Sequence, residues 1–152
     1  MKKLIILILV LNSFILPAQS FRTWAKGNAV TWSCLILAGG CDGLAESVKF
    51  HYQSTDRKLN LNDNQWNPDI SWRNKYKGGD PANGEKFLLS TRTLSFLTDG
   101  YHRTRAVKNL FIGAGIAFKI GTKQKWYYYL LDIGSYSLAY GIGFNLTYEY
   151  LR

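Results

Sequence analysis

Residues 38–46 read AGGCDGLAE, and this stretch sets the first expectation about the architecture. It lies within residues 29–53, a mostly apolar segment that is too long for a strand and contains Ala, Leu and Glu, which favour helices. Gly39 and Gly43 have the GxxxG spacing that lets two helices approach closely. Since a glycine destabilises a helix in water by ~1 kcal/mol relative to alanine, these glycines indicate close packing against another helix.

Two further segments, residues 93–118 and 125–151, are also expected to be long helices, joined by the short basic turn KIGTKQK. The tyrosines, tryptophan and phenylalanine of the second segment keep a strand as the alternative, but its polar residues recur at helical spacing. The predicted fold is therefore mainly α, a single domain over residues 21–152. It has a bundle of three long helices, with a long ordered loop, residues 54–92, between the first and second.

The N-terminus reads MKKLIILILVLNSFILPAQS, residues 1–20, and has the charged start, apolar run and small-residue end of a secretory signal peptide. We expect cleavage after Ser20. An uncleaved membrane anchor is the alternative, but the run from Leu4 to Leu16 is short for a hydrocarbon core that needs about 20 residues. A polar lead-in, residues 21–28, is expected to follow, with Asn28 as a candidate cap of the first helix.

Without Lys2 and Lys3, the chain keeps seventeen basic residues against ten acidic ones, a net charge of +7. A basic exported protein meets anionic lipid, glycan or cell-wall polymer more readily than nucleic acid, and no basic run here is long enough for a nucleic-acid arm. Export permits disulfides. Cys34 and Cys41, however, would lie about 10 Å apart along one helix, beyond the ~7 Å that a disulfide allows, so we expect them to be unpaired.

The three segments carry features of helices that lie in or on a membrane, although no stretch after the leader has 18 uninterrupted apolar residues. Glycines recur in their apolar parts, tryptophans and tyrosines cluster at their ends, and lysines flank the turn. These features favour a membrane setting over a soluble periplasmic bundle. Because a charge facing lipid is costly, the acidic side chains are expected to face the interior of the bundle.

Asp99 and His102 are three residues apart, and Asp42 and Glu46 are four apart, so each pair shares one face of its helix. The simpler interpretation is local pairing: Asp99 with Arg103, and Glu46 with Lys49. The alternative is a buried catalytic site that brings four side chains together: Asp42, Glu46, Asp99 and His102. With two histidines and no HExxH or HxxxH pattern, neither a metal site nor a cofactor is expected.

The loop contains QWNPDISWRNKYK, in which two tryptophans flank a proline. One interpretation is a binding platform for a sugar ring or a lipid head group, made by Trp66, Trp72, Arg73 and Lys75. The other is that the tryptophans form a small core of the loop itself. A structureless loop of this length is uncommon, and its aromatic residues argue against disorder.

The stretches WNPDISWRNKYKGGDPANGEKF, STRTLSFLTDGYH and GFNLTYEY resemble a family of small exported or membrane-bound bacterial proteins to which no activity is assigned. The resemblance runs from AGGCDGLAE to the C-terminus. It implies a compact fold and carries over no activity. From the signal peptide and the membrane features, we expect the protein in the bacterial cell envelope, at the inner membrane or in the periplasm.

Two functions follow as expectations. The first is a non-enzymatic envelope protein, in or on a membrane, that binds lipid, glycan or a protein partner through the aromatic loop and the basic turn. The second is an enzyme that acts on envelope lipid or glycan through the four-residue buried site. An enzyme of that kind requires the four side chains to converge.

Overall fold

The computed structural model describes residues 18–152, with side chains from Phe21 onward. This part of the chain is mainly helical, as expected, and contains no strand, only an isolated antiparallel bridge between Tyr76 and Glu85. Its α-helices are α1 (Ala18–Phe50), α2 (Tyr52–Leu59), α3 (Asp63–Trp66), α4 (Pro68–Ser71), α5 (Gly100–Ala117) and α6 (Trp126–Leu151). The prediction of a signal peptide falls on residues 1–20, of which 1–17 lie outside the described residues.

The predicted polar lead-in, residues 21–28, is wrong, because these residues belong to α1. Asn28 does not cap a helix. It is fully buried, donates from Nδ2 to the Asp132 carboxylate at 3.0 Å, and accepts from the Tyr136 hydroxyl at 2.6 Å. Partners more than one hundred residues away therefore keep this polar residue inside the helix.

The predicted helix over residues 93–118 begins later, at Gly100. Residues 93–99 form turns and a short 3-10 helix, Ser95–Leu97. Asp99 ends this irregular stretch as the N-cap of α5, where its carboxylate accepts the backbone N–H of His102. The helix starts where the sequence provides a capping carboxylate.

The predicted loop, residues 54–92, is ordered but is not a plain loop. It contains most of α2, all of α3 and α4, and three 3-10 helices: Trp72–Lys75, Lys77–Gly79 and Pro81–Asn83. Three of these short helices, α3, α4 and Pro81–Asn83, begin at side-chain caps, because Asn62, Asn67 and Asp80 each accept a backbone N–H two residues further on. Prolines follow two of these caps and suit the first helical turn.

Helix α1 packs along both other long helices. It runs parallel to α6, since Trp24 contacts Asp132 near one end and His51 contacts Tyr148 near the other. It runs antiparallel to α5, since Thr31 contacts Gly115 whereas Glu46 contacts Arg105. The turn between α5 and α6 consequently lies beside the first described turns of α1.

The glycines of AGGCDGLAE lie at the α1–α6 interface. A Cβ atom on Gly39 would overlap the Tyr140 carbonyl oxygen, and one on Gly43 would lie 2.7 Å from the Phe144 carbonyl oxygen. Neither position leaves room for a side chain, so the backbones of α1 and α6 are in direct contact there. The close packing predicted from the GxxxG spacing is confirmed.

The bundle buries small and polar side chains and exposes large apolar ones. Among the described residues the buried apolar side chains are Ala38, Ala45, Val48, Tyr128, Ala139 and Leu151. Leucines and isoleucines are exposed along α6, at Leu130, Ile133, Leu138, Ile142 and Leu146. None of the helices that the described residues form is both long and apolar enough to cross a bilayer.

Candidate functional site

Asp99, His102 and Lys75 form one chain of contacts where the loop meets the start of α5. The Asp99 side chain is almost fully buried and lies 2.8 Å from His102 Nδ1. On the other side of the ring, His102 Nε2 lies 3.3 Å from Lys75 Nζ. The predicted pairing of Asp99 with Arg103 is therefore wrong, since the carboxylate is occupied by His102 and by the Thr98 hydroxyl at 3.0 Å.

Burial raises the pKa of Asp99, but hydrogen bonds from the side chain and backbone of His102, the charge of His102 and the Thr98 hydroxyl outweigh it. The net effect is a pKa below the ordinary value. Asp99 is thus held as a carboxylate that caps α5 and orients the imidazole.

A small cavity of about 150 Å³ opens beside this pair. Its walls include Lys49 at the end of α1, Ser71 and Trp72 from the loop, and Tyr101. The structure therefore brings Asp99 and His102, from one predicted group, together with Trp72 and Lys75, from the other.

Asp42 and Glu46 lie elsewhere, along the face of α1 that meets α5. Asp42 accepts from Lys108 Nζ at 2.7 Å and from the Tyr140 hydroxyl at 2.6 Å, so it joins all three long helices. Glu46 lies 3.7 Å from Arg105 in a more exposed pair. The predicted partner of Glu46, Lys49, is instead near the ring of Phe50.

The pKa values around Asp42 reflect this pairing. Burial raises the pKa of Asp42, but hydrogen bonds and charge from Lys108, the Tyr140 hydroxyl and the charge of Arg105 bring it below the ordinary value. Burial and the hydrogen bond to Asp42 raise the pKa of Tyr140 well above its usual range. The pair is held as a carboxylate and a neutral phenol.

The four predicted catalytic residues do not converge on one site in the described structure. Lys108, which holds Asp42, is six residues beyond His102 on α5, about 9 Å along the helix axis. No hydrogen bond or ion pair joins the two acids of α1 to Asp99 or His102. The expectation that the acids face inward is supported, since Asp99 and Asp132 are buried and Asp42 bridges helices.

The two tryptophans of the loop, Trp66 and Trp72, have different environments. The Trp66 ring lies against the backbone of Gly100, so tightly that a Cβ atom there would overlap it. Trp72 is 41% exposed, borders the small cavity, and lies beneath the guanidinium of Arg73 at 5.5 Å from the ring centroid. Of the four predicted ligand-binding residues, Trp66 holds the loop to α5, and Trp72 and Arg73 form an exposed pair.

A larger cleft, absent from the predicted sites, lies at the other end of the bundle. We call it the turn cleft: it has a volume of about 590 Å³ and lies between the first turns of α1, the turn after α5, and the start of α6. Aromatic and basic side chains dominate its walls: Trp24, Tyr127, Tyr128, Lys119, Lys123 and Lys125.

Asp132 anchors one wall of the turn cleft. Its carboxylate accepts from Trp24 Nε1 at 2.7 Å, from Asn28 Nδ2 at 3.0 Å and from Gln124 Nε2 at 2.5 Å. Lys119 Nζ lies 3.2 Å away. Among the described residues, Asp132 is the one acidic side chain near the cleft; it is thereby already paired and hydrogen-bonded, and it holds the turn against α1.

Two further features distinguish the cleft. Lys123 and Lys125 are exposed and form no ion pair within the described part of the chain, although Lys125 Nζ lies 6.0 Å from the centroid of the Tyr127 ring. Tyr128 is only 8% exposed, and its hydroxyl is buried with no hydrogen-bond partner among residues 18–152. A buried hydroxyl without a partner costs ~1–3 kcal/mol, so this tyrosine stands out.

The sequence held a signal for this cleft. The lysines of KIGTKQK and the aromatic run that follows indicate a membrane-facing feature, but the cleft also requires Trp24 and Gly27, about one hundred residues earlier. No group of three or more histidine, cysteine or acidic side chains that could hold a metal occurs in the described range. Cys34 and Cys41 are both free, as expected.

No protein-family model, curated protein or solved structure matches this chain. The resemblance noted in the sequence is therefore still a prediction, and the function has to be inferred from the geometry.

Proposed function

We propose that the protein is a non-enzymatic, membrane-associated protein of the cell envelope that binds anionic lipid through one end of its bundle. We call this the basic end: residues 21–31 of α1 and residues 110–131, which comprise the end of α5, the turn and the start of α6. The observation that carries the proposal is that large apolar side chains and lysines are exposed together there. Ile120 is 77% exposed and Trp126 69% exposed, beside the unpaired Lys123 and Lys125.

The charged residues of the basic end are all positive. The two ranges contain five basic residues and no acidic one; Asp132, just beyond, is buried and paired. The five are Arg22, Lys26, Lys119, Lys123 and Lys125. Each lysine or arginine close to an anionic membrane contributes about 1 kcal/mol of attraction, so this end favours a negatively charged surface.

The apolar side chains supply the second part of the interaction. Phe118 is exposed with Ile120 on one side of the turn, and Trp126 begins α6 on the other. Tryptophan prefers the boundary between head groups and acyl chains, and buried apolar area adds to the electrostatic attraction of a basic segment.

The outer side of α6 continues this apolar surface. Exposed apolar surface of this extent marks interaction sites, and large apolar side chains are exposed along this part of α6 at Trp126, Leu130, Ile133 and Leu138. Contact with lipid would remove this surface from water. Attachment at the basic end, with α6 lying along the lipid, accommodates both features.

The proposal gives the loop a smaller part than the sequence suggested. Lys75 is engaged by His102 and the Trp66 ring lies against Gly100, which leaves Trp72 and Arg73 as the exposed aromatic and basic pair. Export to the envelope, and a glycan or protein as a further partner of the loop, belong to the same proposal.

Vesicle flotation tests the proposal. The full chain should float with vesicles of phosphatidylcholine and phosphatidylglycerol, less so at high salt, and not with phosphatidylcholine alone. The double variant K123E/K125E should lose at least about tenfold in affinity, since about 1 kcal/mol is expected per lysine. The matched control, K77E/K86E, changes two exposed lysines of the loop at the opposite end and should bind normally. Equal binding by both variants would contradict the proposal.

A second candidate, an enzyme acting on envelope lipid or glycan, is favoured by one observation. The Asp99 carboxylate contacts Nδ1 of His102, and a carboxylate in this position orients an imidazole for general-base catalysis. Lys75 stands at Nε2, where a substrate proton would be. Hydrolysis of simple nitrophenyl acyl esters or phosphodiesters by the protein, lost in His102→Ala and retained in Arg103→Ala, would favour this candidate over the first.

A further inference from the structure

We propose that the turn cleft is a binding site for a single phosphate-bearing polyol, such as the glycerol phosphate head group of a lipid. This inference deepens the proposed lipid-binding function and rests on it for the source of the ligand. It adds a defined pocket to what would otherwise be attraction between a charged end and a charged surface.

The cleft has the size of a ligand site. Its volume of about 590 Å³ falls in the ~300–1,000 Å³ typical of small-molecule pockets. Gly27 lines it on the α1 side, and a Cβ atom there would meet no other atom within 4 Å. The pocket is thus open at a position where any other residue would place a side chain.

The charge inside the cleft selects an anion. Lys119 is partly offset by Asp132, whereas Lys123 and Lys125 have no acidic partner within the described chain. Ammonium groups are good phosphate binders, and a phosphate placed between these lysines would compensate charges that the protein leaves unpaired.

The aromatic wall is held rigidly. The Trp24 and Tyr128 rings are stacked with their centroids 6.2 Å apart, and Trp24 Nε1 is fixed by Asp132. The Tyr127 ring lies 4.7 Å from that of Tyr128. A preformed apolar wall beside a few polar groups suits the carbon skeleton of a polyol and orients it.

The probe for the test is sn-glycerol 3-phosphate, titrated into the full chain and followed by amide NMR shifts, with glycerol as the neutral comparison. We expect saturable binding of glycerol phosphate at the cleft and none of glycerol. Gly27→Leu should weaken it at least tenfold, because the leucine occupies the open space. The same change at Gly141, which lies on α6 beyond the basic end and also has no atom near its Cβ position, is the control and should leave affinity unchanged.

Absence of saturable binding of sn-glycerol 3-phosphate, or equal binding by Gly27→Leu and the unmodified chain, would overturn the inference.

Vesicles distinguish this inference from the proposed function. If Gly27→Leu floats with phosphatidylglycerol vesicles as well as the unmodified chain does, the cleft inference is overturned and the surface-binding proposal stands. If glycerol phosphate binds in the cleft but the chain floats with no anionic vesicle, the cleft is a site for the free phosphate and the membrane proposal is overturned.

Discussion

Gly143 of α6 lies against the backbone of Ile36 in α1, and a Cβ atom on Gly143 would overlap the Ile36 carbonyl oxygen. The contact is between two backbones, and the glycines of α1 make similar contacts one and two turns further along. The parallel packing of α1 and α6 thus depends on the absence of side chains at a few positions.

Replacing Gly143 by alanine should therefore destabilise the bundle. Inserting a methyl group into a tight interface typically costs ~1–3 kcal/mol, and here the obstacle is backbone that cannot turn aside. The matched control is Gly141→Ala on the same helix, where the Cβ position is open. That change should stabilise by ~0.5–1 kcal/mol through helix propensity. Urea unfolding of both variants checks the pair, and a Gly143→Ala protein as stable as Gly141→Ala would refute the contact.

Asp42 and Glu46 look equivalent in the sequence, but the structure predicts unequal roles. Asp42→Ala should cost ~2 kcal/mol or more, because it leaves the largely buried Lys108 ammonium and the Tyr140 hydroxyl without their acceptor. Glu46→Ala should cost ~0.5 kcal/mol or less, as is usual for an exposed pair. The free energies of unfolding of the two variants provide the comparison, and equal losses would show that Asp42 is not the inter-helix anchor.

Asp99 has two structural roles that can be separated. Asp99→Ala removes both the N-cap of α5 and the partner of His102, and should destabilise by ~2 kcal/mol. Asp99→Ser keeps a capping oxygen and should lose clearly less. Thermal unfolding measures both. If serine were as damaging as alanine, the contact with His102 rather than the cap would dominate.

Low pH should destabilise the fold through the carboxylates of Asp42 and Asp99. The pKa values of Asp42 and Asp99 are lowered in the folded protein, so their stabilisation is fully present above the unfolded value of ~3.9 and is lost as pH falls through the folded values. We expect the contribution of these two groups to the free energy of unfolding to change little between neutral pH and about pH 5, and to decline below about pH 4. Asp99→Asn should flatten that decline in chemical unfolding at a series of pH values. An unchanged slope would mean that Asp99 does not contribute to it.

The sequence predicted the helical class and the glycine packing because both depend on local spacing. Gly39 and Gly43 reveal a close approach through their separation alone, whichever helix is the partner. The spacing of polar residues along residues 125–151 likewise favoured a helix over a strand, and α6 has this form.

What the sequence missed depends on distant partners. Asn28 resembles a helix cap until Asp132 and Tyr136 are placed beside it. The turn cleft needs Gly27 and Trp24 from α1 next to lysines that follow α5, and no pattern within either segment indicates that they meet. The start of α5 was missed for a local reason, because the Asp99–Gly100 pair, a cap followed by a glycine, lay inside an apolar stretch that favoured a longer helix.

Quenching by brominated lipid tests most directly which end of the bundle meets the membrane. Bound to phosphatidylglycerol vesicles with brominated acyl chains, the protein should show tryptophan quenching that falls sharply in Trp126→Phe and is unchanged in Trp72→Phe, since Trp126 lies at the basic end and Trp72 in the loop at the opposite end. Quenching that disappears in Trp72→Phe and persists in Trp126→Phe would place the loop, and not the basic end, in the lipid, and would contradict the proposed function.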